Sequence, residues 1–114
     1  MSLSKSIAKN ALIDVTADAS NSLGVSTDGM LLTGIIFPAA MTGSNVTFDF
    51  ALDNSTWADV VETDGTEVTY TISVGNATRV DPSGWAFASS GYLRITSDGT
   101  EAADRNITLI FRAA

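Results

Sequence analysis

Residues 46–52 read V-T-F-D-F-A-L, and this alternation limits what the chain can fold into more than any other feature. Val46, Phe48 and Phe50 fall on one side of an extended backbone, with Thr47, Asp49 and Ala51 on the other. Successive strand side chains point to opposite faces, so such a segment has a core face and a wetter face. The pattern recurs in V-T-Y-T-I-S-V (68–74), where Val68, Tyr70, Ile72 and Val74 alternate with Thr69, Thr71 and Ser73. In Y-L-R-I-T (92–96), Leu93 and Ile95 oppose Arg94 and Thr96; in I-T-L-I-F (107–111), Ile107, Leu109 and Phe111 oppose Thr108 and Ile110. β-branched and aromatic residues dominate these runs, as strands prefer.

Residues 11–17 make a plausible first strand, and M-L-L-T-G-I-I-F (30–37) a second that ends at Pro38. Its unbroken apolar character predicts burial on both faces. Gly43-Ser44, Asp53-Asn54, Asp64-Gly65, Gly75-Asn76, Pro82-Ser83-Gly84 and Asp98-Gly99 separate the runs as turns. The expectation is an all-β domain: an antiparallel β-sandwich or jelly roll of about seven to eight strands over residues 12–114. Residues 1–11 read as a short N-terminal arm, with S-I-A-K-N-A-L-I a candidate for a helical turn.

At 114 residues the chain suits one domain and buries about two-thirds of its extended surface without staples. It has no cysteine and no histidine, which removes thiolate chemistry, disulfides and the commonest general base and zinc ligand. Thirteen acids against six bases give a net charge of −7, which disfavours nucleic acid as a partner. Apolar stretches are interrupted and shorter than a membrane span of about 18–20 residues. Four sequon-like triplets, at Asn45, Asn54, Asn76 and Asn106, are explained by turn chemistry in a Thr- and Asn-rich chain.

Asp49, Asp53, Asp59, Glu62 and Asp64 cluster around Trp57. A glycosidase needs two carboxylates about 5–10 Å apart, and a calcium site needs several hard oxygens, for which Asp53, Asn54, Asp59 and Asp64 are candidates. No stretch matches the twelve-residue calcium loop, no serine has a histidine to activate it, and acids at turns cap backbone amides anyway. The reading is a non-enzymatic chain with no cofactor and no metal. Trp57, Trp85 and Tyr92 are candidates for a sugar-stacking platform, against the alternative that the rings plug the end of the core. The polar faces consist mainly of Thr, Ser and Ala, a low-charge surface suited to packing against other subunits.

Four blocks follow in order: L-L-T-G-I-I-F-P-A-A-M-T-G-S-N-V-T-F-D-F-A-L-D-N-S-T-W, E-T-D-G-T-E-V-T-Y-T-I-S-V-G, V-D-P-S-G-W-A-F-A-S-S-G-Y-L-R-I-T-S-D-G-T and E-A-A-D-R-N-I-T-L-I-F-R. In this order the chain, from about Gly29 to Arg112, resembles small structural proteins of tailed bacteriophage virions. The resemblance implies a β-sandwich on the outer surface of the assembled head, a capsid decoration or cement protein, with neck, tail and head-fibre roles as alternatives. It implies as partners the major capsid protein and copies of the chain itself in a symmetric particle, after synthesis in the host cytoplasm. Lys5 and Lys9 on the arm, with Phe37, Pro38 and Trp57, are the candidate capsid contacts. Deleting residues 2–10 is then expected to weaken particle binding and leave the domain folded. The competing reading is a carbohydrate-binding or adhesion module using Trp57, Trp85 and Tyr92.

Overall fold

The computed structural model describes residues 5–113. Within them lie nine strands: β1 (Ser6–Ile13), β2 (Val25–Ser26), β3 (Met30–Ile36), β4 (Asn45–Ala51), β5 (Ala58–Asp59), β6 (Thr69–Thr71), β7 (Ala77–Arg79), β8 (Tyr92–Ser97) and β9 (Arg105–Ala113). A 3-10 helix at Pro82–Ala88 joins β7 to β8. One sheet has the order β1-β9-β3-β7. The other runs β2-β8-β4, with β5 and β6 pairing in succession along the outer edge of β4. All pairs are antiparallel, and the two sheets pack as a β-sandwich.

The alternation seen in the sequence becomes the core. Ile107, Leu109 and Phe111 of β9 face Val46 and Phe48 of β4 and Leu93 and Ile95 of β8 across the interior, and none is more than 1 % exposed. Leu32, Ile35, Ala11 and Ile13 complete the layer from the first sheet. Trp85, on the 3-10 helix, closes one side: its ring meets Phe48 edge-on at 4.8 Å, and its Nε1 donates to the Tyr70 hydroxyl at 3.2 Å. The end-plug expectation therefore holds for Trp85.

Three expectations are corrected. Residues 6–11 are not an arm or a helical turn: they belong to β1, which runs in register with β9 from Ser6↔Arg112 to Ile13↔Arg105. Residues 1–4 of the expected arm lie outside the described residues. Alternation in this segment is weak because β1 is an edge strand whose N-terminal half covers little core. Strand β3 is not buried on both faces. A bulge between Leu32 and Gly34 shifts its phase, leaving Leu32 and Ile35 inside and Ile36 39 % exposed outside. The strand count rises to nine because β2, β5 and β7 are only two or three residues long.

The chain crosses between sheets twice near one carboxylate. The β3–β4 connection contributes Thr42 and Gly43, whose N–H groups donate to Glu101 at 2.8 and 2.9 Å. The β8–β9 connection carries Glu101 itself, with the Ser97 hydroxyl (2.7 Å) and Arg105 Nε (2.9 Å) also donating to it. Asp98 repeats the link by accepting from Ser44 N–H at 2.8 Å. Gly43 is required for this approach, since a Cβ there would lie 2.1 Å from Ser97 Oγ. The Glu101 side chain is fully buried. Burial opposes its ionisation, but Thr42, Ser97, Arg105 and Gly43 outweigh burial and hold its pKa at about 2.

A carboxyl held below its ordinary value contributes stability above pH 4.5 and loses it as pH falls toward 2. That contribution is about 3 kcal/mol. Glu101→Gln should therefore melt well below wild type at pH 7, with the gap closing between pH 4.5 and pH 2. Thermal melts of both proteins over this interval check it, and a gap independent of pH would contradict it. Deleting residues 2–10 removes most of the β1–β9 ladder and should cost roughly 2 kcal/mol or more. Urea titration of the truncated chain measures this, and an unchanged midpoint would restore the arm.

Candidate functional site

Two of the five acids around Trp57 are occupied in turns. Asp53 accepts from the N–H groups of Thr56 (2.7 Å) and Ser55 (3.0 Å), and Asp64 from Thr66 N–H at 2.9 Å. Those backbone bonds lower both pKa values. Asp14, Asp18 and Asp81 cap neighbouring amides in the same way. Among the described residues no group of three or more carboxylates is placed to hold a metal ion.

Asp49 differs. It stands on the outward side of β4, between Arg94 of β8 and Asp59 of β5 in register. Only 6 % exposed, it accepts from Arg94 Nε at 2.8 Å. Burial raises its pKa, Arg94 opposes the rise, and the facing Asp59 reinforces it. Arg94 in turn lies over the Trp57 ring, 4.7 Å from its centroid. The row Trp57–Arg94–Asp49–Asp59 is thus a held ion pair with a like-charged neighbour. No nucleophile or second activated group accompanies it.

The other sequence candidates separate. Phe37 is 1 % exposed and belongs to the core, so it is corrected as a partner contact; Pro38 beside it is partly exposed. The Lys9 ammonium donates to the Ser26 carbonyl at 2.7 Å and pairs with Asp28, tying β1 to the loop after β2. Lys5 is exposed just before β1. Trp57 is partly exposed, whereas Trp85 is buried, so the three-ring platform with Tyr92 is not assembled. Tyr92 sits on the outward side of β8, opposite Ala51.

Two surfaces escaped the sequence reading. The outward positions of the first sheet are Ser6, Ala8, Asn10 and Leu12 of β1; Asn106, Thr108, Ile110 and Arg112 of β9; Leu31, Gly34 and Ile36 of β3; and Ala77 and Arg79 of β7. None is acidic in a chain of net charge −7, and no ion pair joins Arg79 or Arg112 to an acid among the described residues. The signal in the sequence was Ile110, an apolar residue on the otherwise polar side of its strand. The second surface lies along β5, where Phe50, Leu52 (78 % exposed), Ala58, Val61 and Phe87 (57 % exposed) form an apolar strip. Leu52, Val61 and Phe87 come from three separate segments, so only folding joins them.

The fold is an antiparallel β-sandwich of two sheets. Compared with protein-family models, curated proteins and solved structures, the chain matches none.

The Asp49 row makes two opposite expectations. Arg94→Ala leaves a buried carboxylate without its partner and should destabilise the fold by about 3 kcal/mol. Asp59→Asn removes the facing like charge and should stabilise it by roughly 0.5 kcal/mol near neutral pH. Chemical denaturation at pH 7 reads both; two changes of the same sign would contradict the assignment.

Proposed function

We propose that the chain is a non-enzymatic structural protein of a bacteriophage virion, a decoration protein that docks on the outside of the assembled head. The single observation that carries the docking half of this reading is the acid-free outer face of the first sheet. Leu12, Leu31, Ile36 and Ile110 supply apolar positions along it, and Arg79 and Arg112 supply its charge. Such a face complements an apolar patch bordered by carboxylates on a capsid subunit. The virion setting rests on the order of sequence blocks shared in kind with small phage structural proteins. A protein that binds the assembled shell and not its free subunits stabilises the shell by mass action. The apolar strip along β5 is positioned at the side of the sandwich for neighbouring subunits in the lattice.

Quantitative mass spectrometry of purified particles should find this chain at on the order of tens to hundreds of copies per particle, as a symmetric lattice requires. A handful would place it at the neck, tail or a fibre, and absence would end the virion reading. In a sedimentation assay with undecorated heads, Arg79→Glu with Arg112→Glu should weaken binding roughly tenfold or more. Ile36→Asp should do the same without lowering the melting temperature by more than a few degrees, because Ile36 points away from the core. Undiminished binding in both variants would remove this face from the account.

A further inference from the structure

A hollow of about 310 Å3 opens beside Arg94 and Trp57, on the sheet opposite the proposed docking face. Its volume lies at the lower end of the range for small-ligand sites, about 300–1,000 Å3. We infer that this hollow is a binding site for a neutral saccharide, a function independent of the virion reading.

Arg94 is the first reason. Its Nε is fixed on Asp49 at 2.8 Å and its guanidinium plane is held over Trp57. The Nη groups of Arg94 make no hydrogen bond to any described residue. A forked donor already immobilised by an ion pair and a ring loses little freedom when a ligand arrives.

Asn54 is the second. It adopts φ +58°, in the left-handed region, at the turn capped by Asp53. Its amide also bonds to no described residue, and its Oδ1 lies 1.9 Å from where a Cβ on Gly24 would stand. Gly24 therefore leaves room for this amide at the edge of the hollow.

The remaining wall selects the ligand. Asp14 and Asp18 line the hollow and Asp49 lies under Arg94, so the local charge is negative and a free anion is repelled. The guanidinium equally opposes a cation. A hydroxyl both donates and accepts, and a sugar presents several at fixed spacing; these match the Arg94 fork, the Asn54 amide and the Asp18 carboxylate. Leu23, 56 % exposed, and the Trp57 rim supply apolar surface for the C–H face of a pyranose ring. One ring face of Trp57 is already covered by Arg94, so polar groups carry most of the recognition.

The test uses the full chain with defined probes: maltohexaose, chitohexaose, xylohexaose, mannohexaose and soluble peptidoglycan fragments. Tryptophan fluorescence and titration calorimetry are read together, Trp85 being buried away from solvent. At least one probe should give saturable binding. Asn54→Gly, which keeps the left-handed turn and removes the amide, should weaken it about tenfold, and Arg94→Lys, which keeps the charge and loses the fork, at least as much. A cooperative thermal transition in each confirms that both variants fold. No saturable response to any probe, or wild-type affinity in both variants, overturns the site. Either of those results leaves head binding through the first sheet standing, since the two faces are tested by different variants.

Discussion

The fold depends on one buried carboxylate. Two of the connections that carry the chain between the sheets meet at Glu101, which accepts hydrogen bonds from Thr42 and Gly43 on one side and from Ser97 and Arg105 on the other. A β-sandwich core is non-directional: Phe48, Ile95, Leu109 and Phe111 would be buried equally well with the sheets slightly rotated or slid. Hydrogen bonds to a buried charge are directional, and losing one leaves an unsatisfied group in low dielectric. Glu101 and Asp98 therefore fix how the sheets sit, and the outward faces inherit their geometry from that corner.

That division explains how much of the structure was legible in the residues. Period two in β4, β8 and β9 placed Val46, Phe48, Leu93, Ile95, Ile107, Leu109 and Phe111 in the core correctly, because burial follows local pattern where a strand is long and central. The turn acids were equally legible: Asp53 and Asp64 cap amides two or three residues away, an interaction that needs no distant partner. Residues 6–10 of β1 were missed because the N-terminal half of this edge strand covers little core, and its pairing comes from β9, about a hundred residues later. Glu101 sits in E-A-A-D, a sequence that looks solvated; only the approach of Gly43 from another connection buries it. Phe37 was misread as a contact candidate for the same reason, since tertiary neighbours bury it.

The charge distribution organises the functional reading. Between Lys9 and Arg79 the chain has no basic residue, and its acids concentrate in the turns and on the second sheet. Arg79 and Arg112 stand on the outer face of the first sheet, where no acid accompanies them. The molecule is therefore polarised across its thickness: one acid-free, weakly basic face, and an opposite side with a polar hollow and a fixed guanidinium. The perturbed carboxyl Asp49 has Arg94 as its ion-pair partner and Asp59 facing it in register.

The central claim is that the outer face of the first sheet is the side that meets a partner. Hydroxyl-radical footprinting of the chain, free and bound to purified heads, reads this directly through oxidation of individual side chains. The account predicts that Leu12, Leu31, Ile36 and Ile110 lose reactivity on binding while Trp57 and Leu23 keep theirs. Protection of Trp57 and Leu23 with the four aliphatic residues unchanged would contradict it and reverse the orientation of the molecule on the particle.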